Sequence, residues 1–99
     1  MKLYLYLEIC NNDLNNFTQK AISGIITTNT HFTFSMNKPS QYAMIFAGSG
    51  FWFVNTTRNG INCSSNVIKT DSTITVTISE LNVTIKSTTD KGYAVFFLN

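Results

Sequence analysis

Few side chains in this sequence have the type and spacing that catalysis requires. Ser49 lies between Gly48 and Gly50, but the G-x-S-x-G turn that exposes a nucleophilic serine is absent. His31 is the single histidine, so a serine–histidine pair would need two distant segments to meet. Acid–base catalysis needs paired carboxylates, and the acidic residues are isolated from one another: Glu8, Asp13, Asp71, Glu80 and Asp90. We therefore expect a protein that is not an enzyme.

The sequence does not indicate a cofactor or metal site either. Gly48-Ser49-Gly50 is followed by the strand-like "FWFV", whereas a phosphate-binding glycine loop opens a helix and carries a Lys-Ser or Lys-Thr pair. Cys10 and Cys63 are far apart, and with His31 they provide too few ligands for a zinc site. We expect no cofactor and no metal. Two buried, unpaired thiols are favoured over a disulfide, which the spacing leaves open.

One segment suits ligand recognition, namely Trp52 and the polar residues that follow it. A flat aromatic ring can stack on the apolar face of a sugar, while amide and hydroxyl groups bond to the sugar hydroxyls. The candidate ligand-binding residues are Trp52, Asn55, Thr57, Arg58 and Asn59. The alternative interpretation, which we favour from the sequence, places Trp52 in the core or in a subunit interface.

Composition indicates β-structure and excludes nucleic acid as a partner. Charged residues make up 12% of the chain, about half the usual share of a soluble domain. Polarity comes instead from 12 Asn, 14 Thr and 9 Ser; Thr favours strands, and Asn and Ser favour turns. The basic residues are scattered and Arg58 is the only arginine, so no cluster suits phosphate binding. Low charge density favours self-association.

Alternating apolar residues predict strands along most of the chain. Residues 2–9 place Leu and Ile on one face and Lys, Tyr and Glu on the other, which indicates a half-buried strand. One or two helical turns are expected behind Asp13. Residues 22–28 and 30–36 predict two strands, or one long strand with a kink at Asn29. In the second range, the side chains of Phe32, Phe34 and Met36 are expected to lie on one face.

Two hairpins are predicted. Gly48-Ser49-Gly50 is expected to join a strand over residues 41–47 to its return strand over 51–54. The first strand is apolar on both faces, which predicts a central strand or a subunit interface. In "STITVTISELNVTIKS" the alternation changes parity, which a two-residue turn at Ser79-Glu80 would absorb, with Ile78 and Leu81 paired; a β-bulge there is the alternative.

Several short strands at regular spacing, separated by Gly and Asn, predict an all-β fold. We expect one antiparallel β-sandwich or jelly-roll-like domain over residues 1–99, in which residues 1–21 form an N-terminal strand and polar connector. No run of about 18 apolar residues is present, so membrane insertion is not expected. Glu8 interrupts the apolar N-terminus and no small-residue cleavage site follows, so a signal peptide is not expected.

The Asn-, Thr- and Ser-rich, charge-poor β pattern over residues 22–99 resembles the C-terminal domains of bacteriophage tail-fibre and baseplate proteins. The segments that carry the resemblance are "STITVTISELNVTIKS" and "DKGYAVFFLN". The resemblance implies a compact β-sandwich, usually a homotrimer, that recognises a cell-surface saccharide or protein without catalysis.

These considerations give two functional hypotheses. The first is a structural or attachment module of a bacteriophage virion, made in the host cytoplasm, oligomeric and with a host-surface glycan or protein as its ligand. The second is a small phage-encoded intracellular protein that binds and inhibits a host factor through an exposed strand edge or an aromatic hairpin.

Overall fold

Every regular element in the described part of the chain is a β-strand. The computed structural model describes residues 22–36, 42–57 and 60–98. The eight strands are β1 (Ile22–Ile26), β2 (Thr30–Ser35), β3 (Tyr42–Ala47), β4 (Gly50–Thr56), β5 (Cys63–Lys69), β6 (Ile74–Ser79), β7 (Asn82–Ser87) and β8 (Lys91–Leu98). The predicted strand over residues 2–9, the helical turns behind Asp13, and Cys10 lie outside the described residues.

The strands form two antiparallel sheets that pack face to face as a β-sandwich. The larger sheet has the strand order β1-β8-β3-β4-β5, and the smaller has the order β2-β7-β6. The predicted all-β sandwich is therefore confirmed. β3 is the middle strand of the larger sheet, in agreement with the apolar residues on both of its faces.

The core lies between the two sheets. From the larger sheet it receives Ile45, Val54 and Val95, and from the smaller sheet Val83 and Ile85, all fully buried. Burial of each such side chain contributes about 1.5–3 kcal/mol to the free energy of unfolding. We call this side of the larger sheet its inner face.

The opposite side of the larger sheet, its outer face, carries a second apolar cluster. Its buried members are Met44 and Phe51, and four half-buried side chains pack against them: Phe46, Phe53, Ile68 and Phe96. These residues belong to the larger sheet only. The larger sheet is therefore apolar on both faces, and the sandwich covers one of them.

The chain changes sheets between β1 and β2, so residues 22–36 form two strands and not one kinked strand. Asn29 has a positive φ of 58°, which Asn tolerates better than most residues. Its N–H donates to the Ser87 carbonyl at 2.9 Å, and the Thr30 N–H donates to the Thr27 carbonyl at 3.0 Å. The predicted shared face of the second strand is confirmed, because Phe32 and Phe34 both pack on the core.

The predicted hairpin between β3 and β4 is confirmed. Ala47 pairs with Gly50, which leaves Gly48 and Ser49 as the two turn residues. Gly48 has a φ of 58°, a conformation in which glycine has no side chain to clash.

The second predicted hairpin is present, but its turn is one residue later than expected. Ser79 pairs with Asn82, so the turn residues are Glu80 and Leu81, and Ile78 faces Val83. Contacts from elsewhere in the fold fix this position. The Cys63 N–H donates to the Glu80 carbonyl at 2.9 Å, and the Met36 N–H donates to the Leu81 carbonyl at 2.7 Å. The buried face is the same in either register, because the pairing moves by two residues.

Candidate functional site

Trp52 does not provide the exposed ring that sugar stacking requires. It lies on the inner face of β4, is 5% exposed and belongs to the main core. The expectation of a sugar-stacking ring at Trp52 is thus corrected in favour of the core alternative. Alternation along the strand is the physical reason, since Trp52 and Asn55 are three residues apart and so point to opposite faces.

The other predicted ligand-binding residues are divided between the outer face and the loop after β4. Asn55 is half-buried on the outer face, opposite Tyr42 of β3. Thr57 is exposed just beyond the strand, and its N–H donates to the Asn62 carbonyl at 2.7 Å. Arg58 and Asn59 lie outside the described residues.

Asn55 contributes to a shallow cleft on the outer face. The cleft has a volume of about 360 Å³, and the described residues that line it are Tyr42, Phe53, Asn55 and Asn66. They come from three adjacent strands and form two cross-strand pairs, Tyr42 with Asn55 and Phe53 with Asn66. Side chains of directly opposed residues are about 5 Å apart, so the register itself brings two rings and two amides together.

The two rings of the cleft are held in a defined arrangement. The ring centroids of Tyr42 and Phe53 are 6.4 Å apart, and the ring planes are perpendicular. This edge-to-face geometry is one that aromatic pairs prefer. Tyr42 is 40% exposed, so its ring is accessible from solvent. The cleft therefore offers an accessible aromatic surface of fixed orientation.

The polar groups of the cleft are two neutral amides. Each asparagine carries one carbonyl acceptor and two N–H donors. The Ser64 hydroxyl lies 3.5 Å from Oδ1 of Asn55, in a direction that lets it donate to that oxygen. None of the described lining residues is charged. Such a lining suits a ligand that carries hydroxyl groups and an apolar surface, and it offers no counter-ion to a charged one.

The buried carboxylate of Asp71 has a structural role. Its Oδ2 accepts the Ser49 N–H at 2.9 Å and the Ser49 hydroxyl at 3.2 Å, while its Oδ1 accepts the Thr73 N–H at 2.9 Å and the Thr73 hydroxyl at 2.6 Å. Lys91 Nζ lies 3.7 Å from Oδ2. The Thr73 hydroxyl, the two N–H groups and Lys91 hold the pKa of Asp71 well below its usual range. The carboxylate thus joins the β3–β4 turn to the loop before β6.

The remaining candidate groups are dispersed. Among the described residues, no three His, Cys, Asp or Glu side chains gather as a metal site requires. Cys63 is a buried free thiol whose Sγ donates to the Glu80 carbonyl at 3.1 Å, and burial raises its pKa. His31 is exposed on β2, opposite Lys86. In the described segments, no helix is long and apolar enough to span a membrane.

Comparison with protein-family models, with curated proteins and with solved structures gives no match to this chain. The fold and the outer-face cleft are therefore the observations on which a function can be argued.

The sequence pattern indicates part of the cleft. Phe53 and Asn55 share a parity along β4 that Trp52 does not share, and a two-residue turn at Gly48-Ser49 places Tyr42 opposite Asn55. The sequence singles out Asn55 but not Tyr42 and Asn66, which the structure places beside it in the cleft. Asn66 had no such signal, because the loop between β4 and β5 does not define their register.

Proposed function

We propose that this chain is a non-enzymatic attachment module of a bacteriophage virion that binds an uncharged glycan on the outer face of its larger sheet. The observation that carries the proposal is the cleft of two perpendicular aromatic rings and two amides, with no charge among its described lining residues. The resemblance to tail-fibre and baseplate domains supports the virion setting.

The chemistry of a sugar matches the cleft in two respects. A pyranose ring has an apolar face of C–H groups, which can pack against the exposed ring of Tyr42. Its hydroxyl groups both donate and accept hydrogen bonds, as do the amides of Asn55 and Asn66. An acidic sugar or a phosphate group would be better recognised by Arg or Lys. A neutral sugar is thus the preferred ligand class.

The site is built on strands, which hold its side chains in fixed positions. Tyr42, Asn55 and Asn66 belong to β3, β4 and β5, three neighbours in one sheet. A site of this kind is ordered before the ligand arrives, so binding requires little ordering of the protein.

A homotrimer, which the resemblance implies, would suit a cleft this shallow. A single shallow site binds weakly, whereas linked sites that engage one cell surface can raise the overall affinity by about 10²- to 10⁴-fold. We expect light scattering on a sizing column to give about three times the 11.1 kDa of one chain. A mass equal to that of one chain would contradict the trimer and the gain in affinity that linked sites provide.

The proposal is tested by binding to an array of neutral and acidic glycans. Tyr42→Leu and Asn66→Ala should each weaken binding about tenfold, since each removes a ligand contact worth about 1.4 kcal/mol. Asn82→Ala is the matched control, because Asn82 is an exposed amide on β7 of the other sheet. Tyr42→Phe should retain most of the binding, as it keeps the ring. Binding that survives both cleft substitutions would contradict the proposed site.

A second function, inhibition of a host protein inside the cell, is favoured by a different surface. β5 is an edge strand of the larger sheet, with Val67 54% exposed and Ile61 61% exposed in the segment before the strand. An exposed edge can add a strand from another protein. A host protein that the wild type captures in a one-to-one ratio, and that the Val67→Lys variant does not capture, would support this function. Binding to intact cells that is unchanged by Val67→Lys would support attachment.

A further inference from the structure

β6 is an edge strand of the smaller sheet, and among the described residues it pairs with β7 alone. The hairpin that joins the two strands determines which backbone groups of β6 bond to β7. A two-residue turn is closed by a hydrogen-bonded pair, here Ser79 with Asn82, and every second residue back along the strand bonds in the same direction. Thr77 and Thr75 therefore bond to β7, together with Ser79.

The residues that alternate with these direct their N–H and carbonyl groups away from β7. They include Val76 and Ile78, which face the side of β6 that we call its open edge. Ile74 agrees with this alternation, because its N–H donates to the Asp71 carbonyl at 3.0 Å and not to β7. The open edge thus presents backbone donors and acceptors to which another strand can bond.

The open edge also leaves apolar side chains partly uncovered. Val76 and Ile78 lie on the inner side of the smaller sheet and pack against the main core, but both are only half-buried. Val83 and Ile85, which occupy the same side of the central strand β7, are fully buried. A strand added beside β6 would cover the remaining apolar surface of Val76 and Ile78.

β6 lacks the features that usually keep an edge strand from pairing. Charged side chains, proline and β-bulges have this effect. The strand, Ile74–Ser79, contains no charge and no proline, and its pairing with β7 has no register shift. β5, an edge strand of the larger sheet, carries Lys69 and a register shift in its pairing with β4. Of the two, β6 is therefore the better template for a further strand.

We propose that β6 pairs in antiparallel orientation with β6 of a second copy of this chain, about a twofold axis at Val76. The two smaller sheets then form one continuous sheet. The contact is distinct from the proposed glycan site, which lies on the larger sheet.

The sequence of β6 is complementary to itself in this register. Val76 faces Val76 of the second copy. On the exposed side of the sheet Thr75 faces Thr77, and on the inner side Ile74 faces Ile78. Pairs of this kind stabilise adjacent strands. Since a twofold axis repeats every charge, an uncharged strand also avoids like charges on opposite sides of the axis. The partner that β6 matches is therefore a second β6.

The same register satisfies the backbone groups of the open edge. In each copy, the Val76 N–H donates to the Val76 carbonyl of the other copy, and the Ile78 N–H donates to the Ile74 carbonyl. The Ile74 N–H keeps its bond to the Asp71 carbonyl. A contact of one strand pair is small, and small interfaces are weak. The mass of the proposed trimer thus applies to dilute protein, and we expect that mass to double as the protein concentration rises.

Hydrogen exchange of the wild-type protein, followed by nuclear magnetic resonance at low and at high protein concentration, tests the pairing directly. The N–H groups of Val76 and Ile78 should exchange rapidly in dilute protein. They should exchange about tenfold more slowly once about 90% of the chains are paired, since exchange then proceeds through the free fraction. The N–H groups of Thr75 and Thr77, which bond to β7, should exchange slowly at both concentrations and serve as the internal control.

Two charge variants test the register. Thr75→Glu combined with Thr77→Glu places like charges opposite each other across the axis, so light scattering should show no doubling of the mass at high concentration. Thr75→Glu combined with Thr77→Lys places opposite charges there and should retain the doubling. The variants are matched, because both change the same exposed positions and share the substitution beside Lys86.

The other outcomes overturn the proposal. Slow exchange of Val76 and Ile78 in dilute protein, at the mass of the undoubled assembly, would show that the edge is covered without a second β6. Fast exchange and an unchanged mass at high concentration would show that the edge stays open. Equal association of the two charge variants would exclude the register centred on Val76. If either variant fails to fold, the exchange rates of the wild type decide the matter.

Discussion

The carboxylate of Asp71 accepts the backbone N–H of Ser49 at 2.9 Å, across 22 residues of sequence. Since Asp71 also accepts two hydrogen bonds from Thr73, one buried group fixes both the β3–β4 turn and the loop that leads into β6. That turn ends the hairpin whose other end carries Tyr42 and Asn55. The stability of the turn and the geometry of the proposed site are therefore linked through β3 and β4.

Replacement of Asp71 should destabilise the fold. Asp71→Ala leaves the N–H groups of Ser49 and Thr73 without their acceptor, and the loss of these partly buried hydrogen bonds is costly. We expect thermal unfolding several degrees below that of the wild type, with a smaller decrease for Asp71→Asn, which keeps one acceptor oxygen. Asp90→Asn is a suitable comparison, because the hydrogen bonds that Asp90 accepts from Thr28 are exposed. Unchanged unfolding of Asp71→Ala would contradict the structural role.

The same carboxylate should make stability depend on pH. Hydrogen bonds from Thr73 and Ser49 lower the pKa of Asp71 in the folded protein, relative to about 3.9 in the unfolded chain. A lowered folded-state pKa contributes stability above the unfolded pKa, and this contribution is lost as the pH falls below it. The unfolding temperature of the wild type should therefore fall between about pH 5 and pH 2, and that of Asp71→Asn should fall less. An equal decrease in unfolding temperature with pH for the wild type and for Asp71→Asn would contradict this assignment.

Gly50 should not tolerate a larger side chain. A Cβ at this position would overlap Cη2 and Cζ3 of the Trp52 ring and would approach the Lys69 carbonyl to 3.2 Å. We expect Gly50→Ala to lower the free energy of unfolding by about 2 kcal/mol, measured by urea denaturation. In the Trp52→Leu background the same substitution should cost less, because the overlapping ring atoms are gone. An equal cost in both backgrounds would assign the effect to the backbone instead.

Glu80→Gly should stabilise the β6–β7 hairpin. Glu80 has a φ of 55°, which is unfavourable for a residue with a Cβ, and a two-residue turn of this kind often carries Gly at that position. We expect an increase in the free energy of unfolding of about 0.5–1 kcal/mol, after the entropy cost of glycine in the unfolded chain. The adjacent Ser79→Gly lies within β6 and should lower stability by about 0.5–1 kcal/mol. A decrease for both variants would contradict the conformational argument.

Alternation along the chain predicts most of the fold, because a strand's two faces follow from its period of two. This is why the shared face of Phe32 and Phe34 and the central position of β3 follow from the residues. The position of the turn at Glu80-Leu81 does not follow from the local sequence, since hydrogen bonds from Met36 and Cys63, which are distant in sequence, fix it.

The candidate site was only partly predictable for a similar reason. The position of Trp52 next to the polar loop makes it a candidate for sugar binding, yet the pleat of β4 turns its side chain into the core. Asn66 reaches the cleft through the pairing of β4 with β5, whose register shifts between Phe51 and Trp52. A shift of this kind depends on the packing of both strands, and no local pattern in the sequence shows it.

The measurement that tests the central claim most directly is a nuclear magnetic resonance titration of the isotope-labelled protein with neutral oligosaccharides that contain glucose, galactose or N-acetylglucosamine. The account predicts that one of them shifts the side-chain amide signals of Asn55 and Asn66 and the ring signals of Tyr42. The indole N–H signal of Trp52 should stay in place, because that ring is in the core. Shifts confined to the loop after β4, to Trp52 or to the smaller sheet would contradict the proposed site.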